Sequence, residues 1–251
     1  MVEQSAIIPD PLGQFGKAEP GSVHLSFAPS AETNCDIGCP LKSGGCYATA
    51  VERHRPNLYR KLLRHAKMHP AQLLVAAMHR LNRRRRDRKL ADVVPWVRLS
   101  SFGSLPQPKN ADARFRAALK LFARFIVSQS MQDKTHVPVE TARKANWYRK
   151  FLPGLTVRES THTRRRWLTA IGAVSAHTPS AGPLLERIKT AKEWARDRRQ
   201  RTGRTVCVCP AVVSGFMRKL GRKSTGAKCG TGRRCCSACA LPHVDVVYPG
   251  H

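Results

Sequence analysis

The spacing of apolar and polar positions divides the chain into short β-prone runs separated by stretches with helical periodicity. Ser22 to Phe27 (SVHLSF) reads as a short strand, and a cysteine-bearing loop follows it directly. Pro56 to Ala66 and Pro70 to Arg85 read as helices, each opened by a proline in its first turn, where the missing N–H costs nothing. In the second, Leu74, Ala77, Met78 and Leu81 fall on one face. Val93 to Phe102 (VVPWVRLSSF) is strongly β-prone and is ended by Gly103. Ala111 to Gln129 is the clearest amphipathic helix. Phe115, Ala118, Leu119, Phe122 and Ile126 form its apolar stripe, read as core, with Arg114, Arg116, Lys120 and Arg124 largely outside.

The alternation continues towards the C-terminus. Thr135 to Val139 reads as a strand, Ala142 to Phe151 as a helix and Leu155 to Arg158 as a strand. Arg164 to Ala170 follows as a short helix, Ala173 to His177 as a strand, Pro183 to Arg199 as a helix closed by Gly203, and Thr205 to Cys209 as a last strand. About six β–α units in series imply an α/β fold with a parallel sheet and right-handed crossovers, either open and doubly wound or curled towards a barrel. In both, the loops after strand C-termini form the working face, and the cysteine loop after the first strand belongs there. The expected organisation is a loose arm over 1–20, the α/β body over 21–205, and a cysteine-rich, metal-held appendage over 206–251.

Charge narrows the partners. The chain carries 45 Lys and Arg against 16 Asp and Glu, a formal net charge of +29, with basic runs at Arg83–Arg86, Arg164–Arg166, around Arg198 and at Arg233–Arg234. Such a field attracts polyanions, so nucleic acid is the expected partner, although each run also reads as a solvated helix end. No apolar run approaches the roughly 18 residues a membrane span needs, and MVEQSAIIPD lacks the basic-then-apolar pattern of a signal peptide. A cytoplasmic protein with no membrane partner is expected.

The nine cysteines add chemistry to this picture, because without an export signal they point to metal or redox use rather than disulfides. They fall in two sets, three between positions 35 and 46 and six between 207 and 239. Cys35, Cys39 and Cys46 have the spacing C-x3-C-x6-C. Three thiolates on one loop suit a [4Fe–4S] cluster with one open iron, to which S-adenosylmethionine can bind. They also suit zinc with a fourth ligand taken from His24, His54 or a C-terminal cysteine. In the second set Cys236 and Cys239 form a C-x2-C chelating pair. Cys209 and Cys229 complete four ligands, with Cys235 as the substitute for Cys229 and Cys207 read as a strand residue. This second site suits zinc or a second cluster equally.

The segments SVHLSFAPSAETNCDIGCPLKSGGCYATA, RLSSFGSLPQ, VCVCPAVV and CCSACALPHVDVVYPGH together resemble a phage and mobile-element family, the gene-product-88-like proteins, whose function is not established. The carried-over pattern runs from Cys35, Cys39-Pro40 and Cys46-Tyr47-Ala48 to Cys209-Pro210-Ala211. It ends in a cysteine knot, matched here by Cys236 and Cys239, and a terminal strand ending at His251; Arg233 stands where the knot's first cysteine would fall. That family is in turn similar to radical S-adenosylmethionine proteins, which place a cysteine triad after the first strand of a partial (β/α) barrel. The resemblance therefore implies a partial barrel, a [4Fe–4S] cluster on the triad, and S-adenosylmethionine held at later strand ends. The positions on offer are Ser100, Ser101 and Gly103 after the second strand, Arg158, Glu159 and Ser160 after the fourth, and Ser175 and His177 after the fifth. It implies radical enzyme chemistry as one of two open readings, and nucleic acid or a nucleotide as the substrate is suggested by the charge alone. The rival expectation is a zinc-stabilised, non-catalytic nucleic-acid-binding protein. There is no GxxxxGK[ST], GxSxG or HExxH motif to support NTPase or hydrolase chemistry, and His65, His69 and His79 read as helix-surface residues.

Overall fold

The structure is a computed structural model. It describes residues 23–28, 53–86, 97–99, 105–179, 181–221, 239 and 241–250. In chain order the elements are β1 (Val23–Leu25), α1 (Pro56–Lys67), α2 (Pro70–Arg86), β2 (Val97–Leu99), α3 (Ala113–Ser128), β3 (Thr135–Val139) and α4 (Ala142–Phe151). They continue with β4 (Val157–Thr161), α5 (Arg164–Thr169), β5 (Val174–His177), α6 (Leu184–Thr202), β6 (Thr205–Val208), α7 (Pro210–Lys219) and β7 (Val244–Tyr248). Local chemistry sets several boundaries. Asp112 caps α3 by accepting the Phe115 N–H at 2.7 Å, Thr141 caps α4 through the Lys144 N–H, and Gly203 ends α6 at φ 65°, a left-handed conformation that glycine adopts without steric cost.

All seven strands join one parallel, unclosed sheet in the order β1-β2-β3-β4-β5-β7-β6. The first five strands are laid down in sequence. A doubly wound sheet reverses direction at an interior strand and so clothes both faces with helices. Here each right-handed crossover through β1 to β5 steps the same way, which carries the helices to one face.

Side-chain alternation agrees with that placement. Val23, Leu25, Val97, Leu99, Val137, Val139 and Val157 point into a single core with Leu74 and Leu81 of α2, Phe115 and Phe122 of α3, and Ala145 and Tyr148 of α4. Farther along, Val174, Ala176, Val206 and Val247 pack on Trp167 of α5 and Ala191, Trp194 and Ala195 of α6. The expected stripe of α3 is buried throughout, with Ala123 added to it.

Three differences from the sequence reading bear on function. First, the C-terminal residues do not stand apart as an appendage: β7 is seated between β5 and β6. Its alternate residues serve both faces, Val247 towards the helices and Val244 and Val246 away from them, which is what an interior strand requires. Second, the body continues past β6 into a helix, α7, that the periodicity did not announce. Third, His65 is not on the surface. It is 1% exposed, and its Nδ1 lies 2.6 Å from the Ser26 carbonyl, so the ring donates there and ties α1 to the end of β1.

Candidate functional site

The face of the sheet opposite the helices is lined differently. By strand alternation it carries Arg98 of β2, His136 and Pro138 of β3, Arg158 and Ser160 of β4, and Ser175 and His177 of β5. Cys207 of β6 and Tyr248 of β7 complete it. Register puts Arg98 beside His136, Ser160 beside Ser175, and His177 beside Tyr248. From β2 to β5 the sheet buries valine on the helix side and carries arginine, histidine and serine on the other, while β7 adds Val244 and Val246 to that second face.

Cys207, Cys209 and Cys239 are all buried and belong to one cluster with Leu241, Val244 and Val246. Cys209 follows β6 and is fixed by its backbone N–H, which donates to the Val247 carbonyl at 2.8 Å. The Cys239 sulfur lies 2.9 Å from the Tyr248 hydroxyl. Two of the four cysteines expected at the C-terminal metal site, Cys209 and Cys239, are thus brought together from either side of a chain excursion. The other two, Cys229 and Cys236, and the substitute Cys235, lie outside the described residues. So do Cys35, Cys39, Cys46, Ser100, Ser101, Gly103 and His251. Among the described residues no group of three or more His, Cys, Asp and Glu stands close enough to hold a metal ion.

Arg158, Glu159 and Ser160 lie within β4 rather than after it, and the pleat separates them. Arg158 points to the polar face and is fully buried. Its guanidinium donates to the carbonyls of Cys239 at 2.8 Å, Val174 at 3.0 Å and Leu241 at 2.8 Å. Burial pulls its pKa below the ordinary arginine value, while negative charge on Cys239, Tyr248 and Asp245 acts in the opposite sense. This arginine is spent on holding the Cys239–Leu241 backbone against β4, beside the thiols. Glu159 points the other way and takes a two-pronged ion pair from Arg166 at 2.6 and 2.8 Å, which raises the Arg166 pKa. Only Ser160 stays on the polar face with its side chain half-exposed, next to Ser175, whose Oγ is buried with no hydrogen-bond partner among the described residues.

Sequence reasoning offered His177 but missed its two aromatic neighbours, His162 and Tyr248. His162, His177 and Tyr248 stack in a row at the C-terminal ends of β4, β5 and β7. The centroid distances are 4.9 Å between the histidines, at 32°, and 4.7 Å between His177 and Tyr248, at 16°. Burial lowers the His162 pKa, which favours the neutral ring. Burial raises the Tyr248 pKa well above its usual value, helped by charge on Cys239 and Cys209 and opposed by Arg98. The signal was present in the strand period: His177 and Tyr248 occupy polar-face positions at the ends of otherwise aliphatic strands.

Buried polar bonds also tie α4 to residues 105 and 106. The Lys144 ammonium donates to the Leu105 carbonyl and, at 3.0 Å, to Glu140. The Tyr148 hydroxyl donates to the Pro106 carbonyl at 2.8 Å. Together they fix the chain that returns from the end of β2. One member of the basic runs is also core: Arg198 is fully buried, paired with Asp245 at 2.9 Å and packed 5.2 Å from the Trp167 ring centre. No described helix is long and apolar enough to cross a membrane. Comparison with known proteins returned no matching family model, no matching curated protein and no matching solved structure.

Proposed function

We propose that the chain is an iron–sulfur, radical S-adenosylmethionine-like protein on a partial (β/α) barrel, of phage or mobile-element origin, acting on nucleic acid or a nucleotide. The observation that carries the reading is the strand order. Five parallel strands follow one another in sequence with their helices on one side, and the first leads directly into Cys35, Cys39 and Cys46.

The residues fit thiolate-held centres in their chemistry. Cys35, Cys39 and Cys46 would hold the cluster at the β1 end. Cys209 and Cys239, buried together beside the Arg158 guanidinium, would hold the second metal with partners from 222–238, the arginine offsetting thiolate charge. When bound, the cluster with S-adenosylmethionine supplies a carbon radical able to take hydrogen from an unreactive position. The chain's own tasks are positional. Arg158 fixes the Cys239 backbone, Lys144 and Tyr148 fix Leu105 and Pro106, and Ser160 and Ser175 offer hydroxyls on the polar face. Ser101, Gly103 and Ser160 remain the proposed contacts for S-adenosylmethionine, whereas Arg158 is spent on the Cys239 and Leu241 carbonyls and Glu159 on Arg166.

The reading is tested by incubating anaerobically purified protein with dithionite and S-adenosylmethionine and assaying 5′-deoxyadenosine. Product that disappears in Cys46→Ala supports the proposal, and no product from iron-loaded protein contradicts it. A zinc-stapled nucleic-acid-binding protein is the second reading. It is favoured by the way Cys209 and Cys239 pack among Leu241, Val244 and Val246, as cysteines of a structural staple do, and by the +29 charge.

A further inference from the structure

Charge is sorted around α6. By helical period, Lys189, Lys192, Arg196 and Arg199 fall on one flank of the helix, and Glu186, Glu193 and Asp197 fall on the next. All four cations are exposed, and none makes an ion pair among the described residues. Glu193 comes within one turn of Lys189 and Arg196, and Glu186 within one turn of Lys189. Lys192 and Arg199 have no acidic residue one turn away, only cations, and like charges at that spacing repel. The two flanks face different ways. Asp197 is paired with Arg164 of α5, which turns the acidic flank towards that helix. Arg199 donates to the Val206 carbonyl of β6 at 3.2 Å, which turns the basic flank towards the edge of the sheet, where β6 stands last. No described carboxylate answers it from there. β6 and α7 carry none, and Asp245 of β7 is buried and held by Arg198 and Arg204. α7 itself sets Val212 against Cys207 and Val244 on the other face of the sheet.

From this we infer that the basic flank of α6 is a contact surface for the phosphate backbone of a double-stranded nucleic acid. Its four cations spread over about 15 Å of helix axis and meet a polymer that carries one charge per about 1.7 Å of its own axis. The backbone is engaged rather than the bases, because no aromatic side chain shares the flank; Trp194 of the same helix is buried on the inner side. Contacts of this kind position a duplex without reading its sequence. The inference rests on the nucleic-acid part of the proposed function, locates it on the helix side of the sheet, and does not require a metal centre to be present.

The test is fluorescence anisotropy of the full chain with a short fluorescein-labelled DNA duplex of mixed sequence, titrated at several salt concentrations. Lys189→Gln/Lys192→Gln/Arg196→Gln is compared with Arg124→Gln/Arg143→Gln/Lys150→Gln, which removes the same charge from exposed positions of α3 and α4. Arg199 is left in place because it also holds β6. The α6 variant is expected to bind about tenfold or more weakly and to lose about 3 from the slope of log affinity against log salt, roughly one per phosphate contact. The α3/α4 variant should keep the wild-type slope. Lys192→Gln alone, which should lower the slope by about 1, serves if the triple variant does not fold. Equal losses in the two triple variants would mean diffuse attraction by net charge and would overturn the inference. So would a wild-type slope in the α6 variant, which leaves nucleic-acid binding itself standing. A loss seen with a single-stranded oligomer of the same length but not with the duplex would overturn the duplex assignment. Wild-type protein that binds neither would sink this inference together with the nucleic-acid part of the proposed function.

Discussion

Arg158→Met separates a clamp from a spare cation. The guanidinium is wholly buried and donates to three main-chain carbonyls, two of them more than 80 residues away, at Cys239 and Leu241. Methionine fills similar volume and removes the cost of burying a charge, but strands the carbonyls. Leu241 keeps the Val244 N–H at 3.3 Å, so the loss falls mainly on Cys239 and Val174. At about 1–3 kcal/mol for each orphaned buried acceptor, the expected destabilisation is about 2–6 kcal/mol. With a urea m-value of about 1–3 kcal/mol/M, the midpoint should move by at least about 0.7 M. Arg158→Lys should recover little, since one ammonium cannot span carbonyls on β4's neighbour and on the 239–241 segment together. Hydrogen exchange should show faster exchange in β7 and around Cys239, with α3 unaffected until global unfolding. A midpoint within about 0.3 M of wild type, or rescue by lysine, would refute the clamp.

Other positions carry separate predictions. Asp245 accepts from Arg198, Arg204 and the Val174 N–H. Asp245→Asn leaves Arg198 buried without its counter-charge and should cost about 3–5 kcal/mol in chemical denaturation; a loss under about 1 kcal/mol would contradict that accounting. Asp112 has its pKa lowered, first by the Phe115 N–H and then by His69. Its contribution is therefore present above the unfolded carboxylate value and lost as pH falls through the depressed folded one. Asp112→Asn should flatten that acid limb of a thermal-stability profile. His162 has its pKa lowered by burial, so stability declines as pH drops below the unfolded imidazole value of about 6.5 and levels off at the folded one. NMR titration should find this ring titrating below the free imidazole value of about 6.5.

The legible parts of the fold were those written in local period. The apolar stripe of α3, the proline starts of α1 and α2 and the alternating runs of β3 and β5 give the observed elements within a few residues. Strand order was less accessible. Nothing local to VDVVY says that it will slip between β5 and β6 rather than follow at the edge. That choice is made by nonlocal bonds such as Arg158 to Cys239 and Asp245 to Arg198. Burial of charge was hidden for the same reason: Arg198 sits in a run, ARDRRQR, whose composition describes a solvated helix end, and only the carboxylate of Asp245 explains why one member turns inward. In the site, Arg158-Glu159-Ser160 was legible as a cluster of chemistry but not as two faces of one strand. Applying the two-residue period there separates Arg158 and Ser160 from Glu159, and applying it to β7 sets Tyr248 beside His177, which was already a candidate.

The central claim is that Cys35, Cys39 and Cys46 hold an iron–sulfur cluster at the end of β1. It is tested most directly by iron, sulfide and zinc assays with an absorption spectrum, on wild type and Cys35/Cys39/Cys46→Ala protein purified without oxygen. The account predicts brown wild-type protein with about four irons and matching sulfide attributable to the triad, lost in the variant while any metal at Cys209 and Cys239 remains. Colourless wild-type protein carrying zinc and no sulfide would contradict it.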